Sequence, residues 1–572
     1  MRVLSRGLVL VCCLLSAVLA NAGSDLYGTA AAYAGTSKNG VGAVASVHPL
    51  ATRAGLDVLE HGGNAIDAAV AVALTLGVVD GQNSGIGGGC FALVRYADGT
   101  IEAVDGREMA PAAASRDMYL RDGVADNALS TVGALAVGVP GSLKVYDYLL
   151  KKAGKKTLSD VILPAAKIAG DGFPLSQVTY DRLRLSAPLL RRFPGSAAVL
   201  LDGKGRPWPA GHNLVQKDLA DTYRRIAAQG TDYFYRGEFA RAVDKWMRAN
   251  GGILRYADLA NYKMKLRQPV VSSYRGYSIV GFPPPSSGGV HVAEILNILQ
   301  NFDVAGLSEA DRYHVLAEAM KLAFADRAYF LGDPDFVPVP RGLIDPGYAA
   351  GLAKKIDMAK AAENVRHGEP PKLHIDLFGK HTTHISTADK YGNWVSITTT
   401  VNTSFGSKVI VPGTGVVLNN QMDDFSIQPG VPNSYGLVGS EANSVQPGKR
   451  PLSSMSPTLV LKDGKPLISV GAAGGPTIIT QVVQALVNVI DLGMSVQEAL
   501  AAPRVHNQWK PEATFTESTL PAAVKSSLEA RGHRVYVRSY SGTSQMIEAH
   551  GAGFDAAAEP RVIARNRLIS KQ

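Results

Sequence analysis

The stretch 379-GKHTTHISTADKYGNW-394 decides how this chain folds and what it can do. A polar, charged segment reaches two adjacent threonines, Thr382 and Thr383, after which the residues are typical of a β-strand. Residues 389–393 have turn composition, and a second strand pattern follows over 394–401. The sequence therefore predicts a β-hairpin that begins at the threonine pair.

The turn fixes which residues of this hairpin face each other. If residues 389–393 form the turn, Ala388 pairs with Trp394, and the antiparallel register then places Thr400 opposite Thr382. Directly opposite residues have Cβ atoms about 4.5–5.5 Å apart, so the two threonine hydroxyls can hydrogen-bond.

Alternation along the second strand separates a polar face from an apolar one. Thr398, Thr400 and Asn402 share one face, which therefore collects polar groups beside Thr382. The opposite face consists of Val395, Ile397, Thr399 and Val401. A slip of one residue would remove this arrangement. The alternative interpretation is an edge hairpin whose threonines have no chemical role.

A threonine hydroxyl becomes a competent nucleophile when its own α-amine accepts the proton. A terminal amine has a pKa of about 7.7–8.0 and is partly free base at neutral pH. This chemistry requires Thr382 to be an N-terminus. Residues 351–381 contain many charged residues and prolines, which predicts a solvated tract where a chain can be cut. We therefore interpret His381–Thr382 as a self-processing site.

Length and composition indicate a globular protein with one large body. The chain has 572 residues, of which 46% are hydrophobic and 19% charged, and no Pro-, Ser- or Gly-rich linker divides it. The formal net charge is +9, but basic and acidic residues are interspersed and no basic run alternates with aromatic residues. This pattern argues against nucleic-acid binding.

The N-terminus has the pattern of a cleavable signal peptide over residues 1–22. Arg2 and Arg6 precede an apolar run at 7–19, and small residues follow at 20–22. The run is shorter than the roughly 20 residues of a membrane span. We expect export to the periplasm or the exterior, without stable membrane insertion; an uncleaved anchor is the alternative.

Removal of this segment also removes two of the three cysteines. Cys12 and Cys13 lie within it, so the exported chain would keep Cys90 alone and could form no internal disulfide.

Two helical regions and one loop stand out elsewhere. The first region predicts a helix that starts at Leu50 and ends at the glycines at 62–63. Asn64 then caps a second, buried alanine-rich helix over 65–76. The second reads as a helix from about Arg312 to Leu331. The segment 282-FPPPSSGGV-290 predicts an irregular loop.

Two motifs suggest ligands but do not fit the usual patterns. The run 85-GIGGGC-90 lacks the sixth-position glycine of a dinucleotide fingerprint and no P-loop lysine follows, so a tight turn with close backbone approach explains it better. His374, His381 and His384 match no usual metal-ligand spacing, and we interpret them as surface or loop residues.

Several motifs, taken together and in order, resemble the γ-glutamyltransferases (γ-glutamyltranspeptidases) of the N-terminal-nucleophile hydrolase superfamily. The resemblance covers roughly residues 42–560. The motifs are 85-GIGGG-89, 107-REMAP-111, 283-PPPSSGG-289, 382-TTHIS-386, 402-NTSFG-406, 419-NNQMDDFS-426, 450-RPLSSMSPT-458 and 474-GG-475.

The resemblance assigns a role to each matching position. Thr382 is implied to be the nucleophile and autoprocessing residue, and Thr400 its hydrogen-bonding partner, in agreement with the register above. Gly474 and Gly475 resemble an oxyanion hole. The implied substrate-binding residues are Arg107, Ser453 and Ser454 for the α-carboxylate, Asn402, Gln421 and Asp424 for the α-ammonium, and Tyr435 in a lid loop at 429–439.

The resemblance also implies a fold and an activity. The fold is α+β, a four-layer αββα sandwich formed by one precursor that cuts itself into residues 23–381 and 382–572, which stay together as a heterodimer. The implied substrates are glutathione and other γ-glutamyl compounds, with water, amino acids or dipeptides as acceptors. No metal or organic cofactor is implied.

Two other functions compete with this interpretation. A glutaryl-type (cephalosporin) acylase of the same superfamily is the nearer one, but its substrate would leave Asp424 without an ammonium partner. An inactive secreted solute-binding protein is the other, and it would need neither the cut nor a nucleophile.

Overall fold

Two antiparallel β-sheets form the centre of the molecule. The structure, a computed structural model, describes residues 26–371, 383–539 and 542–568. The seven-stranded first sheet has the order β1-β2-β12-β13-β3-β4-β9, and the six-stranded second sheet has the order β10-β11-β14-β15-β19-β20. The strands are β1 Ala34–Thr36, β2 Gly42–Ala45, β3 Gly89–Arg95, β4 Ile101–Gly106, β5 Leu120–Arg121, β6 Val124–Ala125, β7 Phe173–Pro174, β8 Asn213–Leu214, β9 Lys265–Arg267, β10 Val270–Tyr274, β11 Tyr277–Gly281, β12 Thr383–Asp389, β13 Trp394–Thr400, β14 Thr458–Lys462, β15 Lys465–Ala473, β16 Val505–Asn507, β17 Thr514–Glu517, β18 Val535–Arg538, β19 Thr543–His550 and β20 Gly553–Ala558.

Helices cover the outer face of each sheet. Helices α2, α4, α5 and α8 share an apolar core with the first sheet, and α12, α13 and α15 share one with the second. The helices are α1 Pro49–Glu60, α2 Ala65–Val79, α3 Asn127–Thr131, α4 Ser142–Ala153, α5 Leu158–Asp171, α6 Gln177–Leu190, α7 Pro194–Leu200, α8 Lys217–Gln229, α9 Asp232–Tyr235, α10 Glu238–Ala249, α11 Tyr256–Asn261, α12 Gly288–Leu299, α13 Glu309–Phe330, α14 Pro346–Ala353, α15 Thr477–Ile490, α16 Val496–Ala501, α17 Ala522–Ala530 and α18 Pro560–Asn566.

A third apolar cluster lies between the two sheets and includes Phe91, Leu93, Phe282 and Leu459. Neighbouring residues of one strand therefore enter different layers: Phe91 faces the other sheet, whereas Ala92 faces the helices. The order helix, sheet, sheet, helix confirms the predicted four-layer αββα sandwich.

The central hairpin has the predicted register. Ala388 pairs with Trp394 and Thr383 with Thr399, as the turn at 389–393 requires. The hairpin lies between β2 and β3, so the alternative of an edge hairpin is wrong. The pairing of Thr400 with Thr382 lies outside the described residues and stays a prediction.

The first helical region also matches the prediction. Asn64 caps α2 by accepting hydrogen bonds from the backbone N–H groups of Ile66 and Asp67, and the Asp67 carboxylate accepts one from the Asn64 N–H. This capping box explains why the chain restarts as a helix directly after the glycine pair at 62–63. Almost all of α2 is buried, as its apolar surface indicates.

The glycine run at 85–90 allows close backbone contacts, as expected. A Cβ on Gly87 would lie 2.1 Å from the Val417 carbonyl oxygen, and one on Gly88 would lie 1.7 Å from that of Thr400. Only glycine permits these approaches. The run thus brings β3 against the end of the central hairpin.

Three predictions need correction. The segment 282–290 is not loop throughout, because α12 begins at Gly288. The long helix begins at Glu309, earlier than Arg312, because Ser308 caps it. His384 is fully buried in β12 and bonds to Thr398 and Ser386 between the sheets, so it is not a surface residue.

The tract before the threonine pair is only partly solvated. Residues 351–353 belong to α14. The Ala362 N–H donates to Glu318 at 2.9 Å, and the Gly368 N–H donates to Asp326 at 2.5 Å. These buried carboxylates on α13 hold the chain because they accept otherwise unpaired backbone donors. Residues 372–381 lie outside the described part of the chain.

No helix among the described residues combines the length and apolar character needed to cross a membrane. The predicted signal peptide at 1–22 lies outside the described residues. Cys90 is buried and in the thiol form of a free cysteine.

Candidate active site

The end of the central hairpin forms one wall of the candidate site. Thr383 is the first residue of β12, and Thr400 is the last of β13, where it pairs with Gly89. Thr400 is fully buried, and its Oγ1 accepts a hydrogen bond of 2.7 Å from the Asn402 N–H. His381 and Thr382 lie outside the described residues, and Thr383 is the first described residue after them.

The loop after β13 turns back over the site at Asn402, which has a φ of 78°. Its side-chain Nδ2 donates to the Asn420 carbonyl at 2.9 Å, and its Oδ1 is buried without a hydrogen-bond partner among the described residues. Its carbonyl accepts a bond of 2.9 Å from the Tyr435 hydroxyl. Tyr435, the predicted lid residue, thus contacts Asn402, a predicted substrate-binding residue.

Arg107 follows β4 and is completely buried. Its Nη2 lies 2.6 Å from Asp424 Oδ2, and its Nε donates to the Pro451 carbonyl at 3.1 Å. A buried guanidinium is stable only when it is paired and hydrogen-bonded in this way. The structure therefore brings the predicted carboxylate clamp and the predicted ammonium site into direct contact.

Asp424 and Gln421 lie at the two ends of a short 3₁₀ helix, Gln421–Asp424. Gln421 Nε2 donates to Asp424 Oδ2 at 2.9 Å, while Gln421 Oε1 and Asp424 Oδ1 are buried without partners among the described residues. Buried acceptors without donors are costly. With Asn402 Oδ1, three such acceptor oxygens surround this end of the site.

The Ser453–Ser454 pair is held by the proline-rich loop that precedes α12. The Ser453 carbonyl accepts hydrogen bonds from Ser287 through its N–H at 3.0 Å and its hydroxyl at 2.6 Å. Ser454 Oγ is buried and has no partner among the described residues. This loop contains the motif 283-PPPSSGG-289, but no local sequence pattern indicated that Ser287 positions Ser453.

The glycine pair Gly474–Gly475 connects β15 to α15. Both residues have positive φ, 139° and 64°, and a Cβ on Gly475 would lie 2.6 Å from the Tyr435 ring. Helix α15 begins two residues later at Thr477, so its positive dipole end lies beside the pair. Backbone N–H groups in this setting can stabilise a developing oxyanion.

Two charged groups near the Arg107–Asp424 pair, Glu108 and Arg327, were not predicted from the sequence. Burial raises the pKa of Glu108 to about 8, and the adjacent Arg107 charge opposes this rise. Burial lowers the pKa of Arg327 to about 9, and the charge of Asp424 opposes that fall. Arg327 Nε donates to Ser287 Oγ at 3.2 Å, and thus supports the Ser453 segment from α13. Glu108 could have been identified only because it follows Arg107 in the sequence. No local sequence pattern indicated a role for Arg327.

A third missed group, Asp80, lies beside the start of β12. Its carboxylate accepts hydrogen bonds from Asn83 at 2.9 Å and from the Thr383 hydroxyl at 3.2 Å. Burial raises the pKa of Asp80 to about 7, and the bonds from Asn83 and Thr383 limit the rise.

A cavity of 380 Å³ opens beside these groups. Its lining includes Thr383, Asn402, Tyr435, Gly474 and Gly475, so the predicted oxyanion-hole glycines face it. The described residues that line the cavity do not include Arg107, Gln421, Asp424, Ser453 or Ser454. These five residues form a buried cluster next to Asn402 and Tyr435.

Comparison with known proteins gives one consistent family. The family model for gamma-glutamyltranspeptidase matches residues 51–566. A glutathione hydrolase proenzyme of Escherichia coli (strain K12) is 45% identical over 530 residues, which cover 91% of this chain and 90% of that protein.

Acylases are also similar to this chain. An acylase ACY 1 proenzyme of Pseudomonas sp. (strain SE83) is 42% identical over 512 residues, covering 87% of this chain and 88% of the relative. The crystal structure of a cephalosporin acylase from Bacillus halodurans superposes with a TM-score of 0.81 at 30% identity, covering 91% of this chain and 94% of that one.

Proposed function

Because the chain belongs to the γ-glutamyltranspeptidase family, we propose that it is a γ-glutamyltransferase and glutathione hydrolase activated by its own cleavage. In this proposal, the bond between His381 and Thr382 is cut, residues 23–381 form the large subunit, and residues 382–572 form the small one. The two remain together as a heterodimer.

The observation that carries this proposal is the buried cluster around the Arg107–Asp424 ion pair. A γ-glutamyl group ends in an α-carboxylate and an α-ammonium. Arg107 and the Ser454 hydroxyl can donate to the carboxylate. The acceptor oxygens of Asn402, Gln421 and Asp424 that have no partner among the described residues can accept hydrogen bonds from the ammonium. One cluster thus supplies donors and acceptors for both charges.

Acyl transfer begins at Thr382 in the proposed mechanism. Its α-amine takes the hydroxyl proton while Oγ attacks the γ-carbonyl carbon of the donor. The new C–O bond produces a tetrahedral oxyanion, for which Gly474 and Gly475 offer backbone N–H groups beside the N-terminus of α15. The C–N bond then breaks, the leaving nitrogen takes the proton, and a γ-glutamyl ester remains on Thr382.

Water or an amine completes the reaction. The nucleophile attacks the ester carbonyl, the C–Oγ bond breaks, and the proton of the nucleophile returns to Thr382. Water yields glutamate, and an amino acid or dipeptide yields a new γ-glutamyl amide. Thr400, buried at the end of β13, is proposed to hydrogen-bond the Thr382 hydroxyl and orient it through both steps.

The same hydroxyl is proposed to perform the maturation. Thr382 Oγ attacks the carbonyl of His381, the peptide nitrogen leaves as the new α-amine, and water hydrolyses the resulting ester. The cleaved chain then has the free amine that the catalytic cycle needs. The predicted signal peptide supports export of the precursor, with a final location in the periplasm or outside the cell.

A glutaryl-type acylase is the second candidate, favoured by the two acylases to which the chain is similar. A glutaryl group has a carboxylate but no amine, so Asp424 Oδ1 and its neighbouring acceptors would stay buried without a donor. The cluster therefore favours γ-glutamyl over glutaryl substrates. Rates on matched γ-glutamyl and glutaryl anilides distinguish the two: faster cleavage of the glutaryl compound would support the acylase.

Intact mass and N-terminal sequencing test the proposed maturation. The wild type should give two pieces, the smaller of about 20 kDa (191 of 572 residues in a 60.3 kDa chain) and starting Thr-Thr-His-Ile-Ser. Thr382→Ala should remain one chain, whereas Thr383→Ala, which removes the same hydroxyl one position later, should still be cut. A wild type that stays uncut would exclude the mechanism and leave the binding-protein interpretation.

A further inference from the structure

Arg107 has few hydrogen-bond donors left for a substrate. Its guanidinium carries five N–H groups. Nε donates to the Pro451 carbonyl at 3.1 Å, and Nη1 donates to Glu108 at 3.4 Å. Nη2 donates to both Asp424 and the Leu452 carbonyl. Four of the five N–H groups thus have acceptors within the protein, which leaves one on Nη1 for the α-carboxylate of a donor.

The serine pair beside Arg107 does not make up the difference. A carboxylate has two oxygens that together accept about four hydrogen bonds. The Ser454 hydroxyl offers one donor and the Ser453 hydroxyl offers a second. With the remaining N–H of Arg107, a buried α-carboxylate would have three donors and would lack one.

A second guanidinium, that of Arg327, lies in the same region of the molecule. Arg327 belongs to the last turn of α13 and is only 4% exposed. Its Nε donates to Ser287 Oγ at 3.2 Å. Within the described part of the chain, its two Nη atoms have no hydrogen-bond partner and it forms no ion pair. Because a buried charge without a counterion is costly, this side chain points to an anionic ligand.

Two interactions connect Arg327 to the predicted carboxylate site. Ser287 Oγ, which accepts the Arg327 Nε bond, donates to the Ser453 carbonyl at 2.6 Å. Burial lowers the pKa of Arg327 to about 9, and the charge of Asp424 opposes that fall. The guanidinium is therefore a cation at neutral pH, within electrostatic reach of the Arg107–Asp424 pair.

Two structural roles of Arg327 leave its Nη atoms unexplained. The C-terminal end of the α13 dipole attracts a cation, but it amounts to roughly half a charge. The bond to Ser287 uses Nε alone. Neither role needs the four N–H groups of the Nη atoms, and neither supplies a full counterion.

We propose that Arg327 is a second arginine for the α-carboxylate of the donor, which binds between Arg107, Ser454 and the Nη atoms of Arg327. The proposal rests on the proposed function and adds a specificity-determining residue to it. The carboxylate gains its missing donor, and the buried guanidinium gains a counterion. Arginine suits this role because its planar fork matches a carboxylate.

Three anilide substrates of equal chain length separate the two charges of the donor. The γ-glutamyl compound has both charges, the glutaryl compound has only the carboxylate, and the 4-aminobutyryl compound has only the amine. With the processed heterodimer, we expect Arg327→Gln to lower kcat/KM about tenfold or more for the first two compounds, because a charged hydrogen bond is lost. The 4-aminobutyryl compound should change less than about twofold. Arg327→Lys should recover part of the loss.

Binding of L-glutamate is a second measurement, which needs no catalysis. L-glutamate should raise the melting temperature of the wild type, because it binds the folded state, and should raise that of Arg327→Gln clearly less. An equal rise in both proteins would contradict the proposal. If Arg327→Gln does not fold, Arg327→Lys replaces it in both measurements, with a smaller loss expected on the same two anilides.

Ser287→Ala separates direct binding from support of Ser453. It removes the side-chain link and leaves the Arg327 guanidinium in place, so its effect should be smaller than that of Arg327→Gln. An equal effect would overturn the proposal, as would equal losses on all three anilides or no loss on any. Arg312→Gln, at the partly exposed start of α13, is the matched control and should change none of them.

A failure of the proposed function gives a different result. A wild type that cleaves none of the anilides, or that prefers the glutaryl compound, would contradict γ-glutamyl transfer. The response to L-glutamate and the loss on the glutaryl compound would still test the role of Arg327.

Discussion

Arg107 and Asp424 are 317 positions apart in the sequence and form a fully buried ion pair. Removing two charges from water is expensive, and their attraction offsets that cost only when hydrogen bonds satisfy both groups. Arg107 has backbone carbonyls for this purpose, but Asp424 keeps one oxygen without a partner among the described residues. The α-ammonium of a γ-glutamyl donor would supply the missing proton donor.

Arg107→Lys tests the clamp at this scale. Lysine keeps the charge but loses the planar, two-pronged geometry, so we expect KM for a γ-glutamyl donor to rise about tenfold with a smaller change in kcat. Arg53→Lys, on the exposed surface of α1, is the control and should have no effect. An unchanged KM in a correctly processed Arg107→Lys variant would contradict the clamp role.

Glu108 gives a prediction about pH. Its pKa is raised to about 8 in the folded protein by burial, against an ordinary value of about 4.5. Between these values the folded state binds more protons than the unfolded state, so this group lowers the free energy of unfolding as pH rises from 5 to 8. Glu108→Gln removes that dependence. Its melting temperature relative to wild type should increase from pH 5 to pH 8; a constant difference would contradict the assignment.

At the scale of elements, the central hairpin is the feature that the sequence specified best. A turn of fixed length sets the register of both strands, and the pairing from Thr383–Thr399 to Ala388–Trp394 follows it. The face that contains Thr398 contacts His384 between the sheets, while Thr399 bonds to Tyr146 in the helix layer. Each face of the second strand therefore makes its own side-chain contacts, one with the other sheet and one with the helix layer.

Thr400→Ala tests the role of this hairpin end. Loss of the Thr400 hydroxyl should slow self-cleavage, γ-glutamyl turnover or both by about tenfold, equivalent to about 1.4 kcal/mol in the barrier. The rate of self-cleavage is measured by gel densitometry of the precursor, and the rate of turnover by hydrolysis of a γ-glutamyl donor. Thr399→Ala removes the same group from the opposite face and should affect stability rather than either rate. Normal rates in Thr400→Ala would exclude the proposed contact with Thr382.

The start of α12 shows where element prediction fails. Gly288 and Gly289 follow three prolines and two serines, a composition that favours a loop. In the structure a Cβ on Gly289 would lie 2.3 Å from the Phe282 carbonyl oxygen, so this glycine allows β11 and α12 to approach closely. The glycine serves packing between two elements, and its local sequence does not distinguish that use from a turn.

At the scale of the whole molecule, the predicted cut separates strands that remain neighbours. In the first sheet β12 and β13 lie between β2 and β3, and in the second sheet β14 pairs with β11. The two pieces should therefore co-elute as one body of nearly the precursor size in native buffer, even at high salt, and separate only in denaturant. The uncut Thr382→Ala protein is the size reference. Separation in native buffer would contradict this arrangement.

Only part of the candidate site could be predicted from the sequence. Thr382, Thr400 and Asn402 follow from the position and register of the predicted hairpin and the alternation of its second strand, whereas the other site residues depended on family motifs. Arg327 and Asp80 lie on a helix or at its end, in segments whose local pattern indicates packing only. Their relevance depends on which side chains of distant segments they meet, such as Ser287 for Arg327 and Thr383 for Asp80.

The sequence by itself determined the central hairpin and the alanine-rich buried helix, because each depends on short-range periodicity, turn length or capping. Tertiary structure alone decided the contact of Arg107 with Asp424, the support of Ser453 by Ser287 and Arg327, and the cavity beside the glycine pair. These features join segments far apart in the chain, and their energies arise from desolvation and pairing inside the folded protein. Neither the desolvation cost nor the pairing energy can be estimated from the local sequence.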